Sequence, residues 1–362
     1  MQKKLLNYLA CPDCKNSLSI DIFLEKNDDV IEGVLYCNCS SVFPVTGSIP
    51  RIVKGAFKRF PSYRENFQKQ LEKYDISAEK EDSISSFDEL CAKTELSFGY
   101  QWTNFSEMAC DFKQNFLNYI KPVDEYFFKG KLGLDAGCGF GRHIYNAANF
   151  GAEMVGIDVS DAIESTHKNT KHLKNIHLVQ CDIYQLPFKD GLFDFVYSIG
   201  VLHHLPEPEK AFKALTRKVK ERGSIFIWVY SKKRTYINAV LEIIRYFTHK
   251  IPFSSLKVIC WFCAVVDYLF FIKPYKILKD MHLMGKSMDK IVFSRVKLYA
   301  KYPFQVVFAD WFDRLSPPIR YYYDEKEMND WLDGCRLKEK VISPTGLYGW
   351  RAMGKKKEDV FY

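Results

Sequence analysis

The chain has 362 residues, of which 47% are hydrophobic and 16% aromatic, and it carries a net charge of +8 from 52 basic and 44 acidic residues. This apolar content is sufficient for a packed core and argues against a disordered chain, and the length favours two domains or one domain with an insertion. The small basic excess is compatible with an anionic partner without requiring one, and eleven scattered cysteines indicate reduced thiols in the cytoplasm rather than a disulfide framework.

Two closely spaced cysteine pairs mark the first fifty residues. Cys11 and Cys14 stand in the motif CPDC, and Cys37 and Cys39 follow in CNC after 22 intervening residues. Four thiolates from two such knuckles form the ligand set of a structural zinc site. A redox-active dithiol is the open alternative.

The sequence around these cysteines, which ends in FPVTGSIP, resembles the small zinc-ribbon family whose free-standing member activates tRNA and release-factor methyltransferases. The resemblance implies a zinc-ribbon domain over residues 1–55, with a structural zinc ion bound by the four cysteines. The second pair departs from the family pattern, because it is C-x-C where C-x2-C is usual. Zinc binding therefore depends on whether this shorter knuckle still allows tetrahedral geometry.

Residues 56–118 form a predicted helical segment between the ribbon and the next domain. The stretch RENFQKQLEKY has its apolar residues at helical spacing. The stretch SFGYQW, Ser97–Trp102, lies further along this segment, before the first strand of the next domain. Its aromatic side chains are suited either to covering a bound ligand or to packing in the core.

Short apolar strands alternate with helices from about residue 119 onward. The predicted strands are KLGLDAG, EMVGIDV, IHLVQCDI, LFDFVYSI and SIFIWVY, and the helices between them include RHIYNAANF and EPEKAFKALTRKVK. Strands that alternate with helices predict an α/β fold with a parallel, doubly wound sheet.

This alternation breaks after Tyr230, and residues 232–310 are apolar, aromatic and helical in pattern. A helix, DEKEMNDWLDG, and two strands, LKEKVIS and LYGWRAMGK, then complete the α/β domain, which we assign to residues 119–362 with 232–310 as a helical insertion. The longest apolar run, Val258–Ile272, is shorter than the roughly 20 residues of a membrane-spanning helix and contains Asp267. We therefore expect no transmembrane segment, and the interrupted run Leu5–Ala10 is too short for an export signal.

The stretch LGLDAGCGFGR places glycines at positions 137, 139 and 141 behind Asp135. A dinucleotide fingerprint has its third glycine one residue later, and a carboxylate before the turn would repel a pyrophosphate. The same carboxylate suits a ligand with a cationic end, while the following helix offers free N–H groups to an anion. S-adenosylmethionine combines these charges. Asp158, 23 positions after Asp135, is placed to accept from its ribose, and Asp182 after the third strand is placed to accept from the adenine amino group.

These stretches, together with VGIDVS, CDIYQLPFKDGLFDFVYSIGVLHHLPEPEKA and SIFIWVY, resemble the successive motifs of class I, type 11-like, S-adenosylmethionine-dependent methyltransferases. The resemblance implies a Rossmann-like seven-stranded sheet and assigns residues to each end of the cofactor. The methionine end is assigned to Asp135, Ala136, Gly137, Cys138, Gly139 and Gly141, the ribose to Asp158 and Val159, the adenine to Asp182 and Ile183, and the region beneath the sulfonium to Ser198, Ile199 and Gly200.

Two adjacent histidines, His203 and His204, follow the fourth strand at the position where the transferred methyl group should lie. An imidazole titrates in the right range to remove a proton from an oxygen or nitrogen acceptor. The alternative is that both histidines pack the site or hold the loop.

Three functional readings remain open. In the favoured one, a small-molecule or lipid-linked acceptor is methylated beneath an apolar lid formed by the insertion, and peripheral membrane contact is compatible with it. In the second, the acceptor is an RNA base and the ribbon binds RNA; against this, no RNA-recognition motif is present and the basic residues do not cluster along the ribbon. In the third, the chain is a non-catalytic cofactor-binding regulator that docks through the ribbon.

Overall fold

The strands of the protein form one continuous sheet. The computed structural model describes residues 1–76, 86–283, 285, 290 and 292–357. The sheet has the order β1-β2-β3-β4-β7-β6-β5-β8-β9-β11-β10. The strands are β1 Ser19–Lys26, β2 Asp29–Tyr36, β3 Val42–Thr46, β4 Ile49–Ile52, β5 Leu132–Ala136, β6 Glu153–Asp158, β7 Ile176–Cys181, β8 Phe193–Ile199, β9 Val219–Tyr230, β10 Lys338–Thr345 and β11 Gly349–Lys355.

The α-helices fall between the strands and in the insertion, and short 3₁₀ turns join several of them. They are α1 Ala56–Arg59, α2 Pro61–Asn66, α3 Gln68–Leu71, α4 Ser86–Asn104, α5 Lys113–Tyr119, α6 Arg142–Asn149, α7 Ala162–Thr170, α8 Pro208–Lys218, α9 Thr235–Thr248, α10 Phe253–Asp267, α11 Lys273–Asp280, α12 Ser294–Tyr299, α13 Phe304–Leu315 and α14 Glu325–Gly334. A π-helical turn, Tyr268–Ile272, joins α10 to α11 without a break.

The central strands are parallel and confirm the predicted α/β class. Leu134 in β5 pairs with Val155 in β6 and with Val196 in β8, while β11 runs antiparallel to β9. Side chains alternate between two apolar clusters, since Val196 lies in one and its neighbour Phe195 lies in the other. Helices therefore cover both faces of the sheet, as in a doubly wound fold. The carboxyl ends of β5–β8 meet at one edge, which is where such sheets bind ligands.

The ribbon is part of this sheet and is not a separate domain on a linker. Its last strand, β4, pairs in parallel with β7, so that Arg51 lies beside Gln180. The buried Arg51 guanidinium donates to Gln180 Oε1 at 3.1 Å and to Glu164 Oε1 at 2.5 Å. Leu9 and Cys11 belong to the same apolar cluster as the central strands. The ribbon and the α/β domain thus share a core.

The insertion contains a longer helix than its sequence led us to expect. The apolar run Val258–Ile272 continues into a single helical rod, Phe253–Asp280, of 28 residues. By length and composition alone this rod could cross a membrane, but one such helix is weak evidence for a span, so the expected absence of a transmembrane segment stays a prediction. The expectation counted only the uninterrupted apolar residues, whereas the helix extends beyond them at both ends. Only 28% of its most apolar 18-residue window is buried, which is low for the core helix of a globular domain.

Candidate functional site

A single large cavity opens at the carboxyl edge of the parallel strands. Its volume is about 1970 Å³, roughly twice the upper end of the usual range for one small-molecule site, about 300–1,000 Å³. The ribbon, α4, the strand ends and the second half of the insertion all contribute to its walls. The cavity therefore has room for two ligands side by side.

The glycine loop after β5 forms one wall of the cavity. Gly137 and Gly139 have φ values of +86° and +56°, in the left-handed region that favours glycine. A Cβ at Gly137 would lie 2.4 Å from Cγ2 of Val201, so no larger residue fits there. The backbone can consequently approach a ligand closely at this turn.

Asp158, at the end of β6, is held rigidly at the cavity wall. Its Oδ2 accepts from the Gly139 amide at 3.0 Å, and its Oδ1 accepts from the Ser160 amide at 3.0 Å and the Ser160 hydroxyl at 2.7 Å. Burial raises the pKa of this carboxyl above its usual value, and the hydrogen bonds from Ser160 and Gly139 oppose that shift. The result is an oriented acceptor group, which is what binding of a ribose diol needs.

Asp135 lies behind the loop rather than in the wall of the cavity. It is 2% exposed, and its Oδ2 has no hydrogen-bond partner among the residues the structure describes. Burial raises the pKa of this carboxyl to about 8. A buried, unpartnered carboxylate oxygen next to a ligand loop fits a ligand with a positive charge, so this residue suits the amino end of S-adenosylmethionine.

The predicted cofactor residues divide into a lining layer and a supporting layer. Asp182 lines the cavity after β7, with its Oδ1 accepting from the Tyr184 amide at 2.8 Å, and burial raises the pKa of this carboxyl. In the supporting layer, the Ser198 hydroxyl donates to the Ala136 carbonyl at 2.9 Å. The lining layer comprises Gly137, Cys138, Gly139, Asp158, Val159, Asp182, Ile183, Ile199 and Gly200, and the supporting layer comprises Asp135, Ala136, Gly141 and Ser198.

The two candidate histidines occupy different environments. His203 is fully buried and is absent from the cavity wall; its ring nitrogens have no partner among the described residues, and its ring packs 4.0 Å from that of Tyr230. His204 lines the cavity, and its Nδ1 donates to the Ile319 carbonyl at 2.8 Å. Burial lowers the pKa of His204 to about 3, so the ring is neutral near pH 7 with Nε2 unprotonated, and the same burial makes this nitrogen a weak base. Of the two, only His204 is positioned to touch a ligand.

Gln101 is a cavity residue that the sequence reasoning missed. Its side chain is fully buried, lines the cavity, and has no hydrogen-bond partner for either amide atom among the described residues. Thr94, Ser97 and Gln101 recur at helical spacing on α4 and are all buried. This buried polar stripe was the sequence signal that could have identified Gln101. The neighbouring Trp102 packs against Phe140 at 5.1 Å between ring centroids.

A second part of the cavity wall, called the insertion end below, is built by β9 and the insertion. The Tyr230 hydroxyl donates to Asp313 Oδ2 at 2.9 Å, and Arg314 Nε donates to Asp310 Oδ2 at 2.6 Å. Burial alone would raise the pKa of Asp310, but Arg314 and Arg295 lower it to about 2. The insertion end is therefore polar and charged.

The four cysteines of the ribbon converge on one point. Their sulfur atoms all lie within 4.8 Å of one another, with Cys11 and Cys39 at 3.6 Å and Cys14 and Cys37 at 3.3 Å. A zinc ion about 2.3 Å from four tetrahedral thiolates separates them by about 3.8 Å. The shorter C-x-C knuckle thus still fits a zinc ion, with Cys11, Cys14, Cys37 and Cys39 as its ligands.

Comparisons with known proteins agree with this architecture. A family model described as a methyltransferase domain matches residues 134–227, and one described as a Trm112p-like protein matches residues 2–48. The chain is 34% identical over 128 residues to the tRNA U34 carboxymethyltransferase of Psychromonas ingrahamii, covering 34% of this chain and 37% of that protein. It is 26% identical over 215 residues to a ubiquinone biosynthesis O-methyltransferase of Acinetobacter baumannii, covering 58% and 83%.

One solved structure with a similar chain is the 1,6-didemethyltoxoflavin-N1-methyltransferase of Burkholderia thailandensis, with a TM-score of 0.44, 11% identity, and coverage of 77% and 94%. The two family matches confirm both resemblances that the sequence motifs suggested. The chain contains a methyltransferase domain of the S-adenosylmethionine-dependent class behind a Trm112p-like zinc ribbon. It spans little more than a third of the length of the carboxymethyltransferase it matches.

We expect the purified protein to contain about one zinc ion per chain. Cys37→Ser should reduce this to less than half an equivalent and lower the thermal midpoint, because a closed four-thiolate site stabilises its fold. Metal analysis by mass spectrometry checks the content. Cys263→Ser, which alters a thiol outside the cluster, should leave the zinc content unchanged. Less than half an equivalent in the unsubstituted protein would contradict a filled site.

We expect Asp158→Asn to weaken binding of S-adenosylhomocysteine about tenfold or more. Both carboxylate oxygens accept from N–H or O–H groups, so an amide must turn its own N–H₂ toward one of those donors and lose that contact, together with its charge. Calorimetry measures the affinity, and a thermal midpoint reports folding separately. The nearby exposed Asp161, changed to Asn, is the matched control and should bind normally. Equal affinities in the two variants would remove Asp158 from the cofactor site.

Proposed function

We propose that the protein transfers a methyl group from S-adenosylmethionine to an oxygen, nitrogen or carbon atom of a small-molecule or lipid-linked acceptor. The observation that carries this proposal is the cavity of about 1970 Å³ with two chemically different ends. The glycine-loop end has the features of a nucleotide-like cofactor site. The insertion end has polar and charged side chains suited to a second molecule, and the whole cavity is large enough to hold it beside the cofactor.

The cofactor supplies an electrophilic methyl group on a sulfonium, and this chain's residues hold both partners in place. Asp158 and Asp182 orient the donor end through fixed carboxylate oxygens, and a cationic group of the donor would favour the ionised form of Asp135 behind the loop. Alignment and the exclusion of water contribute most of the rate in such a displacement. Trp102 and the insertion line the cavity and would shield the reacting groups from water once both ligands are bound. His204 Nε2 is available to receive the proton that an oxygen or nitrogen acceptor loses.

RNA is the second candidate acceptor, and one observation favours it: the Trm112p-like match accompanies a relative named as a tRNA carboxymethyltransferase. The placement of the ribbon supports the small-molecule reading instead. Asp13, Cys39 and Ser41 belong to the wall of the same cavity, so the ribbon encloses the site. A regulator without catalysis has no need of a second, acceptor-sized space beside the cofactor end.

We also propose a cytoplasmic location. No disulfide joins any of the eleven cysteines, all of which lie in the described part of the chain, and four of them form the ribbon cluster. Thiols in this number persist in the reduced state inside the cell and would be prone to oxidation outside it.

We expect tritium from methyl-labelled S-adenosylmethionine to enter the small-molecule or lipid fraction of a cell extract when the full-length protein is added. The cavity encloses its acceptor space on several sides, which suits a compact molecule better than a folded RNA. Asp158→Asn should transfer much less label and Asp161→Asn should match the unsubstituted protein. Label found only in RNA would reverse the choice of acceptor.

We expect His204→Gln to lower turnover at least about a hundredfold, the lower end of what a general base contributes, with little change in cofactor affinity. His203→Gln should retain turnover, because that ring does not line the cavity. Single-turnover transfer of label into the accepting extract fraction measures the rate, and calorimetry with S-adenosylhomocysteine measures the affinity. Unchanged turnover in the His204 variant would show that no base is needed at this position.

A further inference from the structure

Two helices of the insertion, α9 and the rod Phe253–Asp280, expose large apolar side chains over their outer surface. The exposed fraction is 63% for Phe247, 59% for Phe262 and 71% for Phe270. We call the whole set the outer apolar face. It comprises Tyr236, Ile237, Val240, Ile243, Ile244, Tyr246, Phe247, Val258, Ile259, Trp261, Phe262, Val266, Leu269, Phe270, Phe271 and Ile277. A soluble monomer rarely leaves so many large apolar residues uncovered on neighbouring segments, and extended exposed apolar surface marks interaction sites.

The outer apolar face is opposite the side on which the rod packs. Leu256, Cys260 and Ala264 are buried at successive turns, whereas the exposed residues 258, 262 and 266 are each displaced from them by two positions. Two positions correspond to about 200° around an α-helix. The rod is therefore apolar on both sides, with one side bound to the protein and the other facing outward.

Positive charge is concentrated in the same segment. Residues 232–310 contain fourteen Lys and Arg and five Asp and Glu, a net charge of +9 that exceeds the +8 of the whole chain. Lys273 and Lys276 are exposed immediately after the aromatic residues of the rod, and Lys250 is exposed at the end of α9. An apolar face flanked by lysines is complementary to a bilayer with anionic headgroups, whose acyl region takes up the apolar side chains.

Contacts on the inner side of the rod favour a helix lying in the bilayer surface over one that spans it. Asp267, midway along the rod, pairs with Arg295 and accepts from Trp311 Nε1 at 3.0 Å. Arg295 also contacts Asp310 on α13 at 3.1 Å. A spanning rod would have to break this network and expose Asp267 to lipid, at a large cost in free energy.

The insertion lies between the cavity and the outer apolar face. Helix α13 packs against α10 on one side and lines the cavity with Val306, Ala309 and Asp310 on the other. The outer helices contribute no described residue to the cavity wall. The insertion thus has an inner layer that encloses the acceptor space and an outer layer that faces away from it.

We propose that the outer apolar face docks the protein onto anionic phospholipid bilayers as a peripheral, surface-lying anchor. Docking requires only the exposed helices and their lysines, so it goes beyond the proposed methyl transfer and does not depend on it. Trp261, with the phenylalanines beside it, enters the headgroup–acyl boundary, and the flanking lysines contact lipid phosphates.

Sedimentation with vesicles tests this proposal with the full-length protein. We expect at least about tenfold tighter binding to vesicles of phosphatidylcholine with 30% phosphatidylglycerol than to phosphatidylcholine alone, because each basic residue near an anionic surface adds about 1 kcal/mol. Binding should weaken as salt is raised. Quenching of Trp261 fluorescence by lipids brominated near the headgroup end of the acyl chain should be strong, and Trp261→Phe should lose it.

Substitutions test whether vesicle binding depends on the outer apolar face and not on other exposed residues. The double variant Phe262→Glu with Phe270→Glu should lose vesicle binding about tenfold or more, and Lys273→Gln with Lys276→Gln should lose the preference for anionic lipid. The matched controls are Tyr126→Glu with Leu24→Glu, which add charge at equally exposed apolar sites elsewhere, and Lys168→Gln with Lys171→Gln. Both controls should bind vesicles normally. All variants should retain S-adenosylhomocysteine affinity, which shows that they fold.

Each other occupant of the face gives a distinct result. The proposal is overturned if the unsubstituted protein binds vesicles no more tightly than the Phe262→Glu, Phe270→Glu variant does. A stable dimer that dissociates in the Glu variant also overturns it, as does RNA binding that the Glu variant abolishes while vesicles are not bound. Failure of methyl transfer with intact vesicle binding would reject the proposed function and leave the docking surface standing.

Discussion

The parallel pairing of β4 with β7 is the contact on which the geometry of the site depends. It joins the ribbon to the last two residues of β7, directly before Asp182 at the cavity. The buried Arg51 is held by Gln180 on β7 and by Glu164 on α7, so its charge is compensated from the α/β domain. Without the ribbon, β7 would be an open edge strand next to the cavity. The zinc-binding knuckles therefore stabilise a wall of the site without taking part in its chemistry.

The buried acid Asp135 couples the stability of the site to the binding of a cationic ligand. The pKa of Asp135, about 8 in the folded chain, lies well above the roughly 3.9 of an aspartic acid in an unfolded chain. The folded state then binds the proton more tightly, so the contribution of this group to stability is lost as the pH rises from about 4 to about 8. A cationic ligand group next to Asp135 offsets that loss, which couples cofactor binding to the stability of the loop.

The fold was largely predictable because the parallel strands are buried on both faces and read as apolar runs; all six residues of β7 are buried. The lining glycines and acids were predictable because their roles depend on local turns at strand ends. The contacts between residues far apart in the sequence were not predictable in this way. His203 and His204 are neighbours in sequence, yet only the second meets Ile319, 115 positions away, and faces the cavity. Gln101 lies in a helix without a recognisable motif, and RENFQKQLEKY divides at Phe67 into two short helices.

The insertion separates recognition from the donor site. Its inner layer is fixed by buried ion pairs among Arg295, Asp310 and Arg314, and such pairs specify one arrangement of helices more than they stabilise it. Its outer layer carries exposed aromatic residues, and the insertion as a whole has a net charge of +9 while the remainder of the chain is close to neutral. Exposed apolar surface and positive charge thus occur in the same insertion, on helices that do not line the cavity. In a fold whose function resides in elements grafted onto a common sheet, the insertion is the element that we propose for choosing the acceptor and the cellular surface.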